Sequence, residues 1–281
     1  MKSTLYTAKS AYCLITIVFF SLTTTVLHAQ TAEELYAMGR SSASQGNFNA
    51  AIKNFNAAIC MKPDYDQAYF KRASIYYNTG NFKEAIDDFT KYIELSPNDE
   101  KGYYNRFLTY KALGDKKNEL SDINRVIALN STFMGAYFKR GILYGDMAKY
   151  DLAVADFSTV IEHNGSDVYK AYFNRGFAYA QLGKNDDAIN DYTKAIELKP
   201  DYEEAFVNRG SVYAGLGKND LALQDFNKAV QLQPNDGDAY ADRGDVYNNM
   251  KKHDLACDDW KNGVLYGNQT ALDHYSKYYK K

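Results

Sequence analysis

Residues 170–202 read KAYFNRGFAYAQLGKNDDAINDYTKAIELKPDY, and the apolar positions fall into two groups. Tyr172, Phe173, Phe177, Tyr179 and Ala180 recur at helical spacing. Ala188, Ile189, Tyr192, Ala195, Ile196 and Leu198 do the same a few residues later. Between the groups stands Leu-Gly-Lys-Asn at 182–185, where Gly183 permits the left-handed conformation that commonly ends a helix. Pro200 cannot continue the second helix and marks the next boundary. The pattern predicts two antiparallel helices, with small Gly176 and Ala188 at their close approach. One such hairpin cannot bury its apolar face alone, so it needs neighbours.

The neighbours are copies of itself. The pattern returns with a 34-residue period, giving seven repeats at 32–65, 66–99, 100–133, 134–168, 169–202, 203–236 and 237–270. The fourth carries one extra residue, near 163–168, and no strand pattern occurs anywhere. Gly176, Tyr179, Gly183, Ala188, Tyr192, Ala195 and Pro200 occupy positions 8, 11, 15, 20, 24, 27 and 32 of their repeat. That set, kept in one register over residues 32–270, resembles the tetratricopeptide repeat family. The resemblance implies an all-α, right-handed superhelical solenoid of helix-turn-helix repeats. Residues 271–281 have no partner hairpin and are expected to form a helix capping the end of the stack. The third repeat departs from the pattern, with Phe107 at position 8, Glu119 at position 20 and Ser131 at position 32. Positions 8 and 20 face each other, so this hairpin is expected to be widened and to open first.

A charged pair also repeats. Arginine at position 7 and aspartate at position 23 give Arg72/Asp88, Arg106/Asp122, Arg140/Asp156, Arg175/Asp191, Arg209/Asp225 and Arg243/Asp259. Sixteen residues always separate them, one on each helix of a hairpin. A binding ladder is one reading; the favoured one is a structural pair, within or between hairpins, that uses arginine's bidentate geometry. The first repeat has Met38 and Asn54 instead, as suits an end.

Residues 1–29 stand apart. Lys2 and Lys9 precede an apolar core at 11–20, a Thr/Ser-rich stretch follows, and Ala29 offers a cleavage point. This is the layout of a signal peptide, with an uncleaved anchor as the competing reading. The chain is therefore expected to be exported, to the periplasm or outside the cell, with no membrane span in the mature part. Three Asn-x-Ser/Thr sequons, at Asn130, Asn164 and Asn268, matter only in a eukaryotic secretory host. Of the cysteines beyond residue 29, Cys60 and Cys257 lie six repeats apart. With helices roughly 8–10 Å from their neighbours they cannot reach each other. Each is expected to act as a small apolar packer, or at most as a link between molecules.

Composition removes some classes of function. With 33 basic and 35 acidic residues and no basic run, nucleic acid is not an expected partner. Catalytic equipment is thin: His163, His253 and His274 form no ligand cluster, and His253 with Cys257 supplies only two ligands. The Asp-Asp pairs at 87–88, 186–187 and 258–259 recur with the repeat and so belong to the scaffold. No cofactor, no metal and no enzymatic activity are expected. The resemblance places helix A of each repeat on a concave wall, with positions 5 and 9 facing a ligand. Tyr104/Leu108, Phe138/Ile142 and Phe173/Phe177 would then form an apolar strip for a protein or peptide partner. Further along, the strip gives way to Val207/Ser211 and Ala241/Asp245, with Asp238 and Asp242 nearby. The lysine and asparagine of the family's carboxylate clamp are absent from positions 5 and 9, so capture of chaperone tails by that route is not implied. A structural spacer without a specific ligand, or a metal-binding or enzymatic protein, are the alternatives.

Overall fold

The computed structural model describes residues 30–279. The expected leader, and the anchor reading that competes with it, lie outside them. Among the described residues every regular element is an α-helix. α1 (Ala32–Ser44) pairs with α2 (Phe48–Met61), α3 (Asp66–Asn78) with α4 (Phe82–Leu95), and α5 (Glu100–Leu113) with α6 (Lys116–Leu129). α7 (Met134–Asp146) pairs with α8 (Tyr150–Glu162), α9 (Val168–Gln181) with α10 (Asn185–Leu198), α11 (Glu203–Gly215) with α12 (Asn219–Leu232), and α13 (Gly237–Asn249) with α14 (His253–Leu265). A last helix, α15 (Gln269–Tyr279), packs on α14 and α13.

The helices form two compact units, one ending at Asn130 and the other beginning at Ser131. Within each, the second helix of a hairpin packs on the first helix of the next, and successive first helices touch. The alanines at position 20 make this stacking possible: Ala51, Ala85, Ala153, Ala188, Ala222 and Ala256 have no exposed surface. Across every hairpin but the third an aromatic ring stands opposite a glycine or alanine of the first helix. A Cβ on Gly39 would sit 2.6 Å from Phe55, and one on Gly244 would sit 2.7 Å from Trp260. The third hairpin solves the same problem in reverse. Phe107 fills the glycine position and Ile123 the aromatic one, and both are fully buried. Large and small are thus exchanged across this hairpin, and Glu119 at position 20 is buried in it as well.

Position 15 is the turn. Gly46, Gly80, Gly114, Gly183 and Gly217 adopt φ between 70° and 78°, where a Cβ would be strained. Ala148 and Lys251 hold the same conformation, at φ 55° and 60°, so the hairpin imposes it even without glycine. The extra residue of the fourth repeat is absorbed between α8 and α9, where Asn164 and Asp167 are also left-handed. Cys257 is a buried free thiol. Cys60 departs from expectation: it lies on the exposed side of α2, away from the core. Among the described residues, no helix is long and apolar enough to cross a membrane.

Candidate functional site

The repeated arginines and aspartates meet within hairpins. Arg72 grips Asp88, Arg106 grips Asp122, Arg140 grips Asp156, Arg175 grips Asp191, Arg209 grips Asp225 and Arg243 grips Asp259. In all six pairs the arginine Nε and Nη2 donate to the two carboxylate oxygens, at 2.6–2.9 Å. The carboxylates are closed off from solvent. Asp122 is 3% exposed, Asp156 and Asp259 are each 4% exposed, and Asp88, Asp191 and Asp225 are also buried. A ligand therefore cannot reach Asp122, Asp156 or Asp259, nor their three counterparts, which corrects the binding-ladder reading: the row is packed inside the hairpins instead of lining a surface.

Each guanidinium also lies against an aromatic ring. Arg175, for example, sits between Tyr172 and Tyr179, at 5.5 and 5.8 Å from their centroids. The remaining Nη1 reaches back to the preceding hairpin. Arg72 donates to Asn56, Arg106 to Thr90, Arg175 to Ser158, Arg209 to Thr193 and Arg243 to Asn227. These acceptors all stand at position 25, which the repeat pattern alone does not single out. A polar side chain recurring there, whatever its identity, is the available signal.

The residues expected to line the first-helix faces are placed as follows. In the first compact unit Tyr104 on α5 tilts against Phe107, with centroids 5.8 Å apart, and Leu108 is half-buried one turn later. In the second compact unit Phe138 meets Phe157 edge-on at 5.6 Å, and Ile142 packs on the same cluster. Phe173 is held between Tyr192 and Tyr202, at 5.7 and 5.0 Å. Phe177 is different. It is 41% exposed on α9, one turn from Phe173, and stands outside the core cluster that holds Ile142.

From α9 to α13 the face turns polar and then acidic. Ser211 on α11 donates to Asp242 on α13 at 3.0 Å. Burial raises the Asp242 carboxyl to about 6; the Ser211 bond opposes this, and the charges of Asp245, Asp238 and Asp236 add to it. Asp245 Oδ1 accepts the Trp260 indole N–H at 2.9 Å and lies 2.7 Å from His274 Nδ1 of α15. Beside them is a cavity of about 170 Å³, edged by Asn248, Asn249, Lys277 and Tyr278. His253 contacts Asn248 Oδ1 at 3.1 Å, and Cys257 is buried. Among the described residues no three His, Cys, Asp or Glu side chains are placed to hold a metal ion.

Consecutive helix pairs, packed in one repeating register, define an all-α repeat solenoid. Three family models describing tetratricopeptide repeats match the sequence, at residues 36–100, 176–217 and 203–236. The chain belongs to the tetratricopeptide repeat family. It is similar in fold to a tetratricopeptide repeat protein from Parabacteroides merdae, at TM-score 0.62 and 22% identity, over 88% of this chain and 97% of that one. The C-terminal part of a TPR repeat-containing protein from Cytophaga hutchinsonii aligns at TM-score 0.69 and 18% identity, over 85% and 98% of the two chains. YrrB, described as a TPR protein with an unusual peptide-binding site, aligns at TM-score 0.54 and 22% identity, over 66% of this chain and 96% of that one. No curated protein matches the chain significantly.

Proposed function

We propose that the chain is an exported, non-catalytic scaffold that holds a protein or peptide segment on the first-helix faces of its hairpins. The observation that carries this reading is Phe177, a large aromatic side chain left 41% exposed while its i−4 neighbour Phe173 is packed between two rings. An exposed aromatic on α9, whose neighbouring first helices carry Ile142 before it and the polar Ser211 and Asp242 after it, suits a segment that is apolar where it meets α7 and α9. The same segment would be basic where it meets α13, opposite Asp242 and Asp245. The peptide-binding site described for YrrB supports this use of the fold. Tyr104 and Leu108 offer the first compact unit an equivalent, separate face. The layout of residues 1–29 supports export.

The test is binding of fluorescent peptides that carry an apolar half and a lysine- or arginine-bearing half, with the reversed order as control. Phe177→Ser should reduce binding of the matching order at least tenfold while leaving the melting temperature within about a degree, as expected of an exposed position. Loss of folding in Phe177→Ser would assign the ring to the core and end the proposal, as would equal binding of both peptide orders by the variant and the parent.

A further inference from the structure

Glu203 opens α11, yet only 7% of it is exposed. Its Oε1 is a buried side-chain oxygen with no hydrogen-bond partner, alone in this among the described residues. The same carboxyl lies against Asp236, the residue that caps α13. The charged groups acting on it are all acidic: Asp236 and Asp238 from the start of α13, and Glu204 from its own helix. Asp238 is itself held by the amide of Asn268, which is neutral.

The corresponding junction in the first compact unit is built differently. There Asp66 opens α3 and accepts a hydrogen bond from Ser96 at 2.6 Å, while the cap of α5, Asp99, accepts the Tyr92 hydroxyl. In the sixth repeat Ala229 stands in the place of Tyr92 and brings no hydroxyl to Asp236. Glu203 stands where it could supply a donor instead. It can do so only as a carboxylic acid, because an ionised carboxylate accepts hydrogen bonds and donates none. A second charge buried against Asp236, with one oxygen unpartnered, would be strongly unfavourable.

We propose that Glu203 and Asp236 share a proton and so form a pH-operated latch between the α11/α12 hairpin and the α13/α14 hairpin. Burial first, then the hydrogen bond to Asp236 and the neighbouring negative charges, push the Glu203 carboxyl up from 4.5 to about 8. A carboxyl whose value is raised on folding binds its proton more tightly in the folded chain. Its contribution is therefore whole below 4.5 and is lost as pH rises through about 8. Above that, two negative charges meet at one buried junction, and α13 is released from α11.

Two measurements on the full chain test the latch: the pH titration of the Glu203 carboxyl carbon by NMR, and amide exchange in α13 corrected for the intrinsic rate. The carboxyl should titrate near 8, and the opening of α13 should rise about tenfold as pH is raised from about 7 to 9. Glu203→Gln keeps a donor for Asp236 and cannot ionise, so its α13 opening should be flat over that range. Asp236→Asn should bring the Glu203 titration down towards neutrality. A Glu203 midpoint among the ordinary carboxylates would overturn the proposal, as would a Glu203→Gln profile identical to that of the parent. Should Glu203→Gln fail to fold, the titration in the parent chain decides the matter alone.

Discussion

At the scale of single residues, the arginine–aspartate forks are where loss of one partner should cost most. Asp225 is 5% exposed and bound by both Nε and Nη2 of Arg209. Asp225→Ala would leave a guanidinium against Phe206 and Thr193 with its counter-charge gone, at a cost of about 3–5 kcal/mol. Urea unfolding should show this as a lowered midpoint with an unchanged slope. The double variant Arg209→Met/Asp225→Leu should recover most of the loss, because the favourable Coulomb energy of a buried pair largely offsets its desolvation. The fork was legible because Arg and Asp recur as the same two letters. Its third partner was not, because Asn, Thr and Ser at position 25 share a chemistry and no letter. Nor did the letters alone decide between a ladder and a buried pair: the depth of Asp122, Asp156 and Asp259 follows from how the two helices of each hairpin close over them. Glu203 was illegible for another reason: the part proposed for it depends on Ala229, a residue 26 positions away in the chain, lacking the hydroxyl that Tyr92 carries.

At the scale of elements, glycine and periodicity announced the helices and turns. They did not announce that Ala148 and Lys251 would keep the left-handed turn, which stacking enforces. Nor did they show that Phe107 and Ile123 would exchange sizes, since each looks like a defect until the two are read together. The final helix was expected from its lack of a partner hairpin, and its packing explains what it does. Ala271 is fully buried against Gly263, and Tyr278 stacks on Trp260 with ring centroids 5.5 Å apart. His274 lies edge-on to the same indole at 5.4 Å. Trp260 is the chain's single tryptophan, so its fluorescence reports this end alone. Ending the chain after Asn268 should shift that emission to the red and raise amide exchange in α13 and α14. Exchange in α9 and α10 should change far less, because each repeat depends chiefly on its nearest neighbours. Unshifted emission in the truncated chain would show that α15 does not cover the indole in solution.

At the scale of the whole molecule, 33 basic and 35 acidic residues leave no strong overall field, so the response to pH comes from particular buried groups. The two compact units differ in these. The second contains Glu203, raised to about 8, and Asp242, raised to about 6, both chiefly by burial. In the first, burial raises Asp88 against the opposing fork of Arg72, while hydrogen bonds lower Glu33 and Asp115. Raised carboxyls bind more protons in the folded state than in the unfolded one, so the second unit should lose stability as pH climbs from about 5 to about 8.5. A lowered carboxyl has the opposite sign, and its contribution is already complete before about pH 5. Helical content reports both units, whereas Trp260 reports only the second. As pH rises, the thermal transition seen by Trp260 fluorescence should therefore move to lower temperature, ahead of the loss of helical circular dichroism. At about pH 5 the two curves should lie closest together. Curves that move in parallel, or a Trp260 transition that climbs with pH, would show that these two carboxyls do not set the balance.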